Sequence, residues 1–202
     1  RDGSFVASDK VYWDLAIKSY SEAIELNPND VLAYNNRGKA WDEKGEYDNA
    51  IKDYSNALEL NPNDAEVYSN RGTAWNKKGN NDSAISDFNK AISLKPDFAE
   101  AYYGRGMAFN SKGLYYQAIA DYNKAIKINP DFGKAYNQRG ISWDNKKKFE
   151  RAIADYNKAL EIDPKYAAAY FNRGLAWAKK EDFDKAIADF SEVIKIFPNH
   201  SM

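Results

Sequence analysis

Five arginines stand in the same company. Arg37, Arg71, Arg105, Arg139 and Arg173 each precede a glycine, and sixteen residues after each comes Asp53, Asp87, Asp121, Asp155 or Asp189. Two chemistries use such a pattern. A stripe of guanidinium groups can hold an anion, whereas a guanidinium matched one-to-one with a carboxylate closes a structural ion pair. The matched aspartates neutralise the stripe, so the ladder reads as structural, within a repeating unit or between neighbours. One residue before the arginines lies a second polar set, Asn36, Asn70, Gln138 and Asn172, interrupted by Gly104. A row of amides can offer paired donors and acceptors to an extended peptide. It can equally satisfy backbone within its own hairpin, and the sequence leaves both readings open.

Reactive side chains are scarce. The chain has no cysteine, and its one histidine is His200, close to the end. No His, Cys and carboxylate cluster has metal-ligand spacing, and no glycine-rich phosphate loop is present. The expectation is therefore no enzyme, no metal and no cofactor. Asn81-Asp82-Ser83 and Asn199-His200-Ser201 fit the glycosylation sequon but read as chance matches in an Asn-rich chain.

The elements that position these side chains repeat with a fixed period. All six prolines (Pro28, Pro62, Pro96, Pro130, Pro164 and Pro198) lie 34 residues apart. Such a period marks a stacked array of one structural unit. Five full units follow, 31–64, 65–98, 99–132, 133–166 and 167–200, with a partial unit at 1–30 and a tail at 201–202. The whole chain, 1–202, reads as one array. In each full unit a tyrosine (Tyr34, Tyr68, Tyr102, Tyr136, Tyr170), a glycine four residues on and an aromatic three further share one helical face. A second helix carries Ala50, Ala84, Ala118, Ala152 or Ala186, then Tyr54, Phe88, Tyr122, Tyr156 or Phe190 four residues later. Gly45, Gly79 and Gly113 suit the turn between the helices, and the residue before each proline ends the second helix. These aromatic and small columns are core rather than a cofactor box. In the partial unit, Tyr12–Leu26 reads as a second helix carrying Trp13, Ala16, Ile17, Tyr20, Ala23 and Ile24, with Ser8 or Asp9 as its cap. Residues 1–10 are too short for a partner helix.

Composition agrees with this architecture. Hydrophobic residues make up 44% and charged residues 29% of 202, and the net charge is −1. That charge gives no general attraction to nucleic acid or to a membrane surface, and no apolar run is long enough to insert in a bilayer. Residues 1–64 carry seven Lys/Arg against thirteen Asp/Glu, so the early part is acidic and the rest mildly basic. The chain opens on Arg1 without a signal-peptide apolar region, which reads as a trimmed or mature start. Its compartment is unknown, with the cytoplasm as default.

On these columns the chain resembles the tetratricopeptide repeat (TPR) family, over residues 11–200. Lys147 and Glu181 depart by replacing the turn glycine, Asn81 by replacing the turn aromatic, and Val193 by replacing an alanine; all four are expected to loosen packing locally without changing the fold. The resemblance implies an all-α, right-handed superhelical α-solenoid of antiparallel hairpins whose first helices line a concave groove. The groove residues it implies are Asn35, Asn36, Lys39, Asn70, Thr73, Tyr103, Met107, Asn137, Gln138, Ile141, Phe171, Asn172 and Leu175. The groove is amide-rich and charged early, and apolar later.

The function implied is a scaffold that binds a peptide or helical segment of a partner protein. Asn70→Ala with Phe171→Ala is expected to weaken that binding at unchanged melting. The family's clamp for a C-terminal carboxylate is rejected, because Asn35, Ser69, Tyr103, Asn137 and Phe171 occupy the column of its first lysine and Gln138 replaces its arginine. Two further readings are homo-oligomers built through apolar solenoid ends and a substrate-adaptor arm of a larger enzyme.

Overall fold

In the computed structural model the described residues are 3–197, with side chains described from Val11 onward. They form helices and turns without strands. The chain divides after Asp97 into two compact units. The first holds α1 (Gly3–Leu26), α2 (Val31–Glu43), α3 (Tyr47–Leu60), α4 (Ala65–Lys77) and α5 (Asn81–Leu94). The second holds α6 (Ala99–Ser111), α7 (Tyr115–Ile128), α8 (Gly133–Asn145), α9 (Phe149–Ile162), α10 (Ala167–Lys179) and α11 (Phe183–Ile196). Within each unit consecutive helices pack as hairpins, and the first helix of one hairpin also touches the first helix of the next. No helix among the described residues is long and apolar enough to cross a membrane.

Close approach inside each hairpin depends on glycine. A Cβ placed on Gly140 would lie 2.6 Å from the Tyr156 ring, and one on Gly38 would lie 2.7 Å from Tyr54. Both rings are buried, so they have no space to yield. The contact is looser at Gly72, where the nearest Phe88 atoms stand 3.1 Å away. Alanines complete the seam: Ala50, Ala57, Ala84, Ala91, Ala118, Ala125, Ala152 and Ala159 are fully buried.

Helix ends differ between the units. Asp30 caps α2 and Asp64 caps α4, each accepting a backbone N–H through its carboxylate. Phe98, Phe132 and Tyr166 stand at the same position before α6, α8 and α10 and make no side-chain cap. Phe132 instead packs on Tyr103 at 4.9 Å between ring centroids, so the cap is exchanged for aromatic burial.

One expectation changes. α1 starts at Gly3 rather than Tyr12, so Ser8 and Asp9 lie within the helix rather than at its N-cap position. No proline interrupts residues 3–26, and the backbone continues its i→i−4 ladder upstream. The departures at Lys147 and Glu181 leave the turn geometry intact. Both adopt the left-handed backbone of Gly45, Gly79 and Gly113, with φ of 56° and 63°. Lys148 N–H still closes on the Trp143 carbonyl at 2.9 Å, and Asp182 N–H on Trp177 at 3.1 Å. The substitutions strain the turn without opening it.

Urea unfolding tests both the seam and the turn. Gly140→Ala should destabilise by about 1–2 kcal/mol, as overpacking outweighs the helix-propensity gain, whereas Gly72→Ala should be close to neutral. Lys147→Gly should stabilise by about 0.5–1 kcal/mol by relieving the left-handed strain.

Candidate functional site

Each arginine of the sequence pattern is consumed by the stack. Its Nε and Nη2 donate to both oxygens of the aspartate on the second helix of its own hairpin, at 2.5–2.9 Å in all five cases. In four of them Nη1 also reaches back to the second helix of the preceding hairpin in the same unit. Arg37 donates to Ser21 Oγ and Arg71 to Ser55 Oγ, both at 3.0 Å. Arg139 donates to Asn123 Oδ1 and Arg173 to Asn157 Oδ1, both at 2.6 Å. The flat face of each guanidinium lies 5.3–5.7 Å from the tyrosine three residues earlier. Hydrogen bonds donated to Asp53, Asp87 and Asp121 hold Arg37, Arg71 and Arg105 above the usual arginine range. With the aspartates buried and every fork occupied, the arginines have no edge left for an anionic ligand.

The amide columns divide. Asn35 and Asn137 are 6% and 2% exposed. The Oδ1 of Asn35 accepts from Asn70 Nδ2 at 3.1 Å, and that of Asn137 accepts from Asn172 Nδ2 at 3.0 Å. Asn137 also hydrogen-bonds the Tyr166 phenol, and Gln138 that of Tyr103, which burial pushes up to about 12. Asn35 and Asn137 are thus corrected from groove surface to buried links between first helices. A polar group so buried is held inside because its partner is already there. Asn70→Ala would leave Asn35 Oδ1 buried and unpaired, so unchanged melting is not expected of that variant. The signal for these links was present as complementary residues 35 apart, Asn35/Asn70, Tyr103/Gln138 and Asn137/Asn172. Reading each column on its own hid it.

In the first unit the structure brings Asn36, Lys39, Asn70 and Thr73 to one cavity of about 460 Å³. Tyr12, Trp13, Ala16 and Tyr20 of α1 form its apolar wall, and Asp42 and Glu43 its acidic rim. Tyr12 stacks edge-on against Trp13 at 4.8 Å and is itself exposed. Asp42 Oδ2 accepts from Lys77 Nζ at 2.6 Å, while its buried Oδ1 has no partner. Lys39 pairs with Glu66 at 2.7 Å, and Thr73 Oγ1 donates to the Ser69 carbonyl. The half-buried Asn36 makes no hydrogen bond among the described residues.

In the second unit Tyr103, Met107, Gln138 and Ile141 are half-buried on α6 and α8, while Phe171 and Leu175 on α10 are 48% and 38% exposed. Phe171 leans on Phe190 at 5.8 Å. His200 lies outside the described residues, as does the Asn199 sequon. Asn81 begins α5.

A sequence profile described as the tetratricopeptide repeat matches residues 31–64, 99–132 and 167–200, and a second TPR profile matches 13–41, 74–113 and 145–180. A search of curated proteins finds no match. Among solved structures, the crystal structure of MamA protein is 30% identical over 82% of this chain and 91% of that one, with a TM-score of 0.69. YrrB, described as a TPR protein with an unusual peptide-binding site, is 26% identical over 91% of this chain and 95% of its own, with a TM-score of 0.66. A tetratricopeptide repeat protein from Parabacteroides merdae shares the fold at 24% identity, over 94% of this chain and 74% of its own, with a TM-score of 0.76. With the repeat columns, the hairpin packing and these matches in agreement, the chain is a member of the tetratricopeptide repeat family.

Proposed function

We propose that the chain is a protein-interaction scaffold without catalytic activity of its own, and that the cavity on α1, α2 and α4 takes a peptide or helical segment of a partner. One observation carries the reading. The cavity joins an aromatic wall, Tyr12 and Trp13, to polar groups that the fold leaves unspent: the Asn36 amide and the exposed Glu43 carboxylate. The arginines, Asn35 and Asn137, by contrast, are consumed internally by the stack. An apolar wall with a few convergent polar groups is the usual build of a binding site.

The unspent groups are carboxylate oxygens and an amide, so the fitting ligand presents N–H donors, from its backbone or from lysine and arginine, beside an apolar anchor. YrrB supports the reading by likeness, since a peptide-binding site is ascribed to that chain of the same repeat type. The scaffold reading fits the family, whose repeats generally build interaction surfaces rather than active sites.

The test is selection of linear peptides from an unbiased display library on the intact chain, followed by titration of the selected peptides. Asn36→Ala with Glu43→Gln should weaken the selected peptides about tenfold or more while leaving the urea midpoint unchanged. Equal affinity for the variant, or a library that yields no peptide, contradicts the proposal.

A further inference from the structure

Lysines that lie over aromatic rings at the turn ends of the hairpins are also answered by a carboxylate. Lys44 lies over Trp41 and closes on Asp14, and Lys78 lies over Trp75 and closes on Asp48. Lys185 lies over Trp177 and closes on Asp182. The α8–α9 turn departs from this pattern. Lys146 Nζ stands 4.7 Å from the centre of the Tyr116 ring, and the Arg151 guanidinium 4.7 Å from that of Trp143. Neither closes an ion pair among the described residues, and neither do Lys147 and Lys148 between them in sequence.

The acids are missing here by substitution. Tyr116 stands in the column of Asp14, Asp48 and Glu150, each of which accepts the lysine at the end of the following first helix. Lys148 stands in the column of Asp182, the acid that answers Lys185, and Lys185 is the counterpart of Arg151. Lys147 occupies a left-handed position, at φ 56°, that is glycine in three repeats. Glu150, the acid in the first turn of α9, is taken by Lys180. Lys147, Lys148 and Arg151 are exposed and Lys146 is half-buried. The two rings restrict Lys146 and Arg151 without neutralising them, so less freedom is lost when an anionic ligand arrives.

We propose that the α8–α9 turn, with Tyr116 of the neighbouring α7, is a docking surface for a short acidic segment of a partner protein. Asp and Glu side chains of that segment take the place of the carboxylates that the other repeats supply from within. Arg151 offers a planar fork to one of them, and the three lysines serve as point charges around it. Charge complementarity selects this occupant, because the basic field is local. Residues 98–202 hold seventeen Lys/Arg against thirteen Asp/Glu. At the next turn, joined to this one through Lys180 and Glu150, Glu181 and Asp184 stand exposed and bound the patch with negative charge. A nucleic acid or an anionic bilayer requires a basic surface that runs on. A short run of carboxylates requires only the turn.

The probe is a labelled peptide of about eight glutamates, whose anisotropy on titration with the intact chain at low salt should show saturable binding that fades as sodium chloride is added. Tyr116→Asp with Lys148→Asp restores the acids of the other repeats. It should weaken binding about tenfold or more while leaving the urea midpoint unchanged. Lys124→Asp with Lys165→Ser alters the net charge equally at exposed positions outside the turn, and should leave the affinity within about twofold. No binding overturns the proposal. So does equal weakening by the two variants, since affinity then follows net charge alone. Tighter binding of a labelled oligothymidylate or of phosphatidylserine vesicles, lost in the Tyr116→Asp, Lys148→Asp variant, overturns it by assigning the turn to nucleic acid or to a bilayer. Self-association at low salt that the same variant abolishes overturns it by assigning the turn to a second copy. None of these substitutions falls on the cavity of α1, α2 and α4, so the two proposals fail separately.

Discussion

The guanidinium that precedes the glycine of each repeat's first helix joins the two helices of its hairpin and, within a unit, reaches the hairpin before it as well. Two of its nitrogens close on the buried aspartate of its own hairpin, and its face lies over the tyrosine one turn back. Where the preceding hairpin lies in the same unit, the third nitrogen crosses to a serine or asparagine there. Arginine suits the task because its donors are fixed in a planar fork, so one side chain can serve several acceptors at set angles. A lysine in that place would carry its three donors on one nitrogen and could not span acceptors set along the edges of a planar fork. The glycine beside it allows the approach that brings the fork within reach, since a Cβ there would meet the facing ring. The spacing of the hairpins follows from these two residues together.

The consequence for function is a separation of labour between columns. Those that recur unchanged, Arg, Gly, Ala and Asp, are exhausted by the stack and have nothing to give a ligand. Those that change from repeat to repeat carry what distinguishes this chain. At the column of Asn35 the residues are Asn, Ser, Tyr, Asn and Phe, and at that of Lys39 they are Lys, Thr, Met, Ile and Leu. Variation alone does not make a residue available, however. Asn35 and Asn137 vary and are still buried, each answered by an asparagine 35 residues later. Asn36, by contrast, makes no hydrogen bond among the described residues.

Much of the fold was legible from spacing alone. The prolines set the period, the three-and-four offsets of the small and aromatic columns gave both helices, and the 16-residue interval pointed to the Arg–Asp pairs. The helix boundaries missed at α1, because Ser8 and Asp9 are good caps only where the chain upstream leaves the helix, and here it does not. The turns at Lys147 and Glu181 kept their geometry because backbone bonds to Trp143 and Trp177 outweigh the strain of a side chain at positive φ. The candidate site was the least legible. The cavity on α1, α2 and α4 draws its apolar wall from Tyr12 and Trp13, which sequence reading placed on a second helix and away from any groove. Helix-to-helix amide pairs depend on two columns at once, and a column read singly cannot show them.

The central claim, that the arginine column is structural and coupled to its aspartate, is tested most directly by a double-mutant cycle in urea unfolding. Arg139→Gln, Asp155→Asn and the double variant isolate the pair joined by Nε and Nη2 at 2.8 and 2.5 Å. The account predicts a coupling energy of about 2 kcal/mol or more, with each single variant costing about 3 kcal/mol because a buried partner is left behind. A coupling below about 0.5 kcal/mol, the value of an exposed surface pair, would contradict it.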